Sequence, residues 1–147
     1  MTLWRIICSG AAFLYLVCGA SFTAQSGSFV TPEKGSTERA AIMNAVRVPV
    51  EKALSPKVVF VVDQLFTGEG WAFLSGRPQR PSGAAIDYRL TPYAEDYAAG
   101  LFDDGVAALL AWQDGRWQVR ALSIGHTDVV WETWPQDFGA PPGVFGR

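Results

Sequence analysis

Thiols are nearly absent from this chain: its two cysteines, Cys8 and Cys18, both fall within the first twenty residues. From Ser21 onward no disulfide and no cysteine-based zinc site can form, and a single histidine, His126, excludes sites built on several imidazoles. Positive charge is not in excess either. Twelve Lys and Arg stand against fourteen Asp and Glu, for a net charge of −2 with no basic run. A nucleic-acid partner, which is held by neutralising phosphates, is therefore not expected. Disorder is not expected, because 49% of the residues are hydrophobic.

Long hydrophobic runs are also lacking. The longest uncharged and mostly apolar one is Ile6 to Ala20, fifteen residues preceded by Met1 and Arg5. A bilayer-spanning helix takes roughly 20 residues and the core of an export signal about 7–15. Residues 1–20 are accordingly expected to be a signal peptide, cut after Ala20 or, as a second candidate, Ala24. The alternative is an uncleaved anchor; a lipoprotein is disfavoured by Val17 before Cys18. Either way the expected location is periplasmic or secreted, with the membrane met only through this segment. The small, polar stretch Ser21 to Gly35 reads as a flexible mature N-terminus, and residues 36–147 as one α+β domain of ordinary size.

What is present is hairpins. Val106 to Ile124 places apolar runs on either side of Asp114-Gly115, a pair suited to the positive φ angles of a two-residue turn. Strict alternation would then set Trp112 opposite Trp117, Leu110 opposite Val119 and Ala108 opposite Ala121 on one apolar face. Leu122 and Ile124 would lie on the other face. Lys57 to Leu74 reads as an earlier hairpin; a turn centred on Gly68-Glu69 sets Phe66 opposite Trp71 and Gln64 opposite Phe73, with Asp63 expected on the solvent side, the alternative being a buried carboxylate with a partner. Before it, Ser36 can cap a helix in which Ile42, Val46, Val50 and Ala53 form the apolar stripe. Pro49 is expected to kink or restart that helix.

Gly76 to Gly83 reads as a loop, and Thr91-Pro92 starts a short helix over Tyr93 to Ala99. Thr127 or Asp128 is expected to cap a last helix with Trp131, Trp134 and Phe138 on one side, limited or kinked by Pro135 and ended by Gly139 to Gly143, and Val144-Phe145 to tuck back onto the body. The fold expected is an N-terminal helix packed on a four-stranded antiparallel meander, with a short helix between the hairpins and another at the C-terminus.

Candidate chemistry is sparse. His126 as base, Asp128 as its orienter and Ser123 as nucleophile would make a hydrolase, but Ser123 is on a strand with no nucleophile elbow or oxyanion loop near it. The plainer account has Thr127 and Asp128 capping a helix and His126 in the turn before it. Arg77 and Arg80, in the stiff GRPQRPSG loop, are candidates to hold an anionic ligand or partner, or are solvated charges. The acidic pairs Glu95-Asp96 and Asp103-Asp104 diverge rather than converge, so no metal site and no cofactor is expected. Trp71, Trp112 and Trp117 sit where the sheet needs core, although aromatics of this kind can also stack on sugars.

Gly70-Trp71-Ala72-Phe73, Arg77-Pro78-Gln79-Arg80-Pro81 with Ile86-Asp87-Tyr88, and Ile124-Gly125-His126-Thr127-Asp128-Val129-Val130-Trp131 resemble the pattern of a family of small exported bacterial proteins of uncharacterised function. The likeness runs from about Arg39 onward and departs at His126, where the pattern has proline. The order helix, hairpin, hairpin, helix is also similar to the cystatin-like arrangement, whose members include inhibitors, binding modules and enzymes. The function expected is non-catalytic binding, of a protein partner or of a second copy, in the bacterial envelope. The alternatives are a small-ligand carrier or enzyme using the concave face of the sheet, which requires an aromatic-lined pocket of several hundred Å3, and an envelope protein anchored by its first segment.

Overall fold

The computed structural model describes residues 27–146. The expected signal peptide and both cysteines lie outside these residues. Helix α1, Thr37–Leu54, is followed by strands β1, Val59–Gly68, and β2, Trp71–Gln79. Short helix α2, Ala94–Ala98, precedes strands β3, Val106–Gln113, and β4, Arg116–Ile124, and helix α3, Trp134–Phe138, lies near the end. The strands form one antiparallel sheet in the order β1-β2-β3-β4. This is the α+β meander that the sequence calls for.

The start of α1 is where a serine should put it: the Ser36 hydroxyl accepts the Arg39 N–H at 3.2 Å, and Glu38 occupies the first turn. Ile42, Val46, Val50 and Leu54 are fully buried at four-residue intervals. Leu54 takes the place expected of Ala53. Pro49 does not restart the helix, which runs as one element through it. The last turn is tied to the sheet by Glu51, which accepts from Lys57 Nζ at 2.9 Å and from the Val58 N–H at 3.0 Å. The Lys57 hydrogen bond holds the Glu51 carboxyl below its usual range, with the Val58 amide adding to it.

Both hairpins turn on two residues with positive φ, Glu69-Gly70 at 53° and 77° and Asp114-Gly115 at 53° and 74°. The second is the turn expected. The first lies one residue further on than expected, so Phe66 faces Phe73, Gln64 faces Ser75 and Gly68 faces Trp71. The two turns are side by side, with the Trp112 N–H donating to the Gly70 carbonyl at 2.8 Å.

Each outer strand carries a bulge that the alternation argument does not contain. In β1 the register shifts between Val62 and Gln64, leaving Asp63 as the extra residue, exposed as expected. In β4 the extra residue is Arg120, so Ala108 faces Leu122 and Leu109 faces Ala121. A bulge inserts one residue and reverses which parity faces the core. Phe60 and Val62 before the β1 bulge, and Leu65 after it, therefore all reach the α1 side, as do Val119 before and Leu122 and Ile124 after the β4 bulge. At the first bulge the strands approach closely: a Cβ on Gly76 would lie 2.3 Å from the Val61 carbonyl oxygen, so only glycine fits there.

The second face of the sheet is covered by the C-terminal segment. Phe73, Ala107 and Leu109 are buried against Trp134, Ala140, Val144 and Phe145, so the tail does tuck back. In the last helix Pro135, expected to limit or kink it, divides it completely. A 3₁₀ turn, Val130–Glu132, comes first, and α3 starts afresh with Pro135 in its first turn and ends at Gly139 in the left-handed region. Proline has no N–H to continue a helix but suits a helix start. The expected loop 76–83 is also shorter, because β2 runs on to Gln79. Pro78 is tolerated there because β3 pairs with β2 only as far as Gly76, leaving one side of that end unpaired. Finally, residues 27–35 of the expected flexible N-terminus lie against the domain: Val30 and Thr67 exchange two backbone hydrogen bonds of 2.9 and 2.8 Å, and Phe29 packs on the second core.

Candidate functional site

His126 stands just past β4, half-buried, with its Cε1 and Nε2 against Gly105 and its ring edge-on to Trp131 at 5.3 Å. Burial pushes its pKa below the usual imidazole value, and the Asp103 charge partly opposes this. Its Nδ1 has no hydrogen-bond partner among the described residues. Ser123 is on β4 opposite Ala107, and Asp128 Oδ1 accepts the Val129 N–H at 2.7 Å. Among the described residues no hydrogen bond joins His126 to Ser123 or Asp128, so these three are not assembled into a relay. Asp128 does not cap a helix as expected: the 3₁₀ turn at Val130 has no side-chain cap.

Arg77 and Arg80 each have a carboxylate for company. The Arg77 guanidinium is 3.9 Å from Asp63, both side chains about half exposed, and its charge opposes the rise in the Asp104 pKa that partial desolvation causes. Arg80 is among the charges that hold down Asp87, whose carboxyl is lowered chiefly by the hydrogen bond from Arg89. An anion arriving here would compete with carboxylates already in place. Exposed pairs of this kind contribute little to stability.

The concavity with the geometry of a binding site is elsewhere, at the end of the sheet where both hairpins turn. A groove of about 620 Å3 opens between the first turn of α1 and the sheet face beneath it. Trp112 and Trp117 form one wall, Val30 and Ala41 are apolar lining, and Glu38 and Glu69 supply charge. It exists because the strands outrun the helix. The paired residues Trp112 and Trp117 are the last but one before the turn, on the α1 side, and α1 begins too late to cover them.

Trp112 is accordingly 51% exposed, not core, while Trp117 is half-buried against the α1 core. The two rings meet edge to face at 5.4 Å and 71°, a favoured aromatic geometry. Trp71, on the opposite face, packs half-buried against the second core. At the groove floor the buried Thr67 hydroxyl donates to Glu38 Oε1 at 3.2 Å, which fixes that carboxylate.

Sequence reasoning missed Glu38 and Glu69 as a site because they belong to different elements, 31 residues apart. One signal was available for Trp112: a side chain adjoining a two-residue turn lies at the sheet's end, where cover is least assured. Among the described residues no group of His, Cys, Asp and Glu is arranged to hold a metal, and no helix is long and apolar enough to cross a membrane. Comparison with protein-family models, curated proteins and solved structures finds no match.

Proposed function

We propose that the protein is an exported, non-catalytic binding domain of the bacterial envelope, and that its ligand site is the Trp112–Trp117 groove. The observation that carries this reading is the exposure of Trp112, whose ring meets Trp117 edge to face beside the Asp114-Gly115 turn. A large aromatic side chain open to solvent beside a groove is a recurrent feature of binding surfaces, because its two side-chain torsions lose little entropy when it is covered. The groove volume suits a small molecule or one protruding group of a partner better than a flat contact. The cystatin-like order of elements accords with this reading by analogy only.

Capture from envelope and culture-medium fractions tests it. The wild-type protein is expected to retain a molecule, identified by native mass spectrometry or gel, that Trp112→Ala loses while keeping its circular dichroism spectrum. An Arg77→Ala/Arg80→Ala variant is expected to retain it. Equal capture by wild type and Trp112→Ala, with loss in the arginine variant, would move the site to the Arg77–Pro81 loop.

A further inference from the structure

The charges around the groove specify more than its shape does. Its lining contains two carboxylates, Glu38 and Glu69, and no Lys, Arg, His, Asn or Gln. The Thr67 hydroxyl, which could have donated to a ligand, is already committed to Glu38. Among its side chains, apart from the indole N–H groups and the hydroxyls of Ser28 and Thr37, the groove offers acceptors and π faces. The N-terminal end of α1 adds about half a positive charge at the rim. Glu38, a full negative charge within that same turn, outweighs it, and Glu69 adds a second.

Both carboxylates are exposed, so a cation entering the groove would be drawn to each, whereas an anion would be repelled and a neutral ligand would gain nothing from them. The exposed Trp112 ring supplies the other half of a cation site. The face of an indole carries negative potential and is the most favourable aromatic surface for a positively charged nitrogen. In an edge-to-face pair the rings do not cover each other's faces fully, and Trp112 keeps half its surface in solvent. The apolar lining from Val30 and Ala41 then suits the hydrocarbon that bears the charge.

We infer that the groove binds an organic cation, an alkylammonium or guanidinium group on an apolar stem, seated over Trp112 between the carboxylates of Glu38 and Glu69. The inference rests on the groove being the ligand site. The same chemistry is offered by a small quaternary ammonium and by a lysine or arginine projecting from a polypeptide, and the choice of probes separates the two sources.

Tryptophan fluorescence of the protein, purified as the cell makes it, is to be titrated with choline and its neutral isostere 3,3-dimethylbutan-1-ol. In parallel it is titrated with a short apolar peptide bearing one central lysine and the same peptide with norleucine. For at least one pair, the cation is expected to bind about tenfold or more tighter than its neutral counterpart, the order of a cation–aromatic contact reinforced by charge. That preference is expected to vanish in Glu38→Gln/Glu69→Gln and binding itself to weaken about tenfold in Trp112→Ala. Choline answering alone identifies a small-molecule source, and the lysine peptide alone a polypeptide.

Neutral and charged probes binding equally, but with dependence on Trp112, would overturn the cation inference and leave the groove as the site. Cation binding indifferent to all three substitutions would overturn it by placing the cation elsewhere. No response to any probe would overturn it as well, and the capture experiment with Trp112→Ala then decides separately whether the groove binds anything.

Discussion

Phe73 shows what a buried aromatic does in this molecule. It is wholly inaccessible, with ring centroids 4.9 Å from Phe145, 5.4 Å from Trp131 and 6.4 Å from Trp134. Truncation removes contacts from both the sheet and the C-terminal segment at once. Phe73→Ala is expected to cost about 3–5 kcal/mol, read from the shift in a urea unfolding midpoint. Trp112, only two pairs from the same sheet end, is expected to behave oppositely: its ring is half in water, so its loss should cost binding and little stability. The sequence could rank both as core, because residue type carries hydrophobicity and not cover.

His126 gives the residue scale a pH signature. Its folded pKa is depressed by burial below the ordinary 6.5. Above that value the imidazole is neutral in both folded and unfolded chains. As pH falls through 6.5 toward the lower folded value, the unfolded chain takes up its proton first, so stability is lost across that window and levels off below it. Urea midpoints measured from pH 8 to pH 4 are expected to fall more in wild type than in His126→Gln over that range. Parallel curves would mean that His126 is as solvated folded as unfolded.

At the scale of elements, what was legible followed from local chemistry. Ser36 and the four-residue stripe marked α1, and Asp114-Gly115 marked its turn, because each signal lies within a few residues of the structure it dictates. Ser36→Ala is expected to cost about 1 kcal/mol by freeing the Arg39 amide, again read from unfolding midpoints, with the residual fold unchanged by circular dichroism. The bulges at Asp63 and Arg120 were not legible, since alternation has no marker for an inserted residue. Their effect is large: each reverses the facing of everything beyond it, which is how Leu122 and Ile124 come to the α1 side. The C-terminal pieces show the same limit. Aromatic spacing suggested one helix limited or kinked at Pro135, but the proline requires a fresh start, and the segment covers the sheet as three short turns.

Across the whole molecule, the sheet is covered on both faces, by α1 on one and by the tail on the other. Covering both faces makes it possible for every position of β3 from Val106 to Ala111 to be buried. A sheet this thoroughly covered has little free surface, and the cover fails where the two hairpins project past the start of α1. The candidate site is a property of that mismatch in length. It joins Trp112 and Trp117 from the second hairpin, Glu69 from the first turn and Glu38 from the helix, a set that no sequence window contains. The hairpins and the helix could be read from the chain; their relative ends, which make the groove, could not.

The most direct measurement is a nitrogen–proton correlation spectrum of the indole and backbone amide groups, recorded while the captured ligand or the best cationic probe is added. The signals of Trp112 and Trp117 are expected to move together, with the Glu38 and Glu69 amides following and Trp131 and Trp134 staying in place. Movement confined to Trp131 and the residues around His126, or to the amides of Arg77 to Arg80, would rule out the groove as the ligand site.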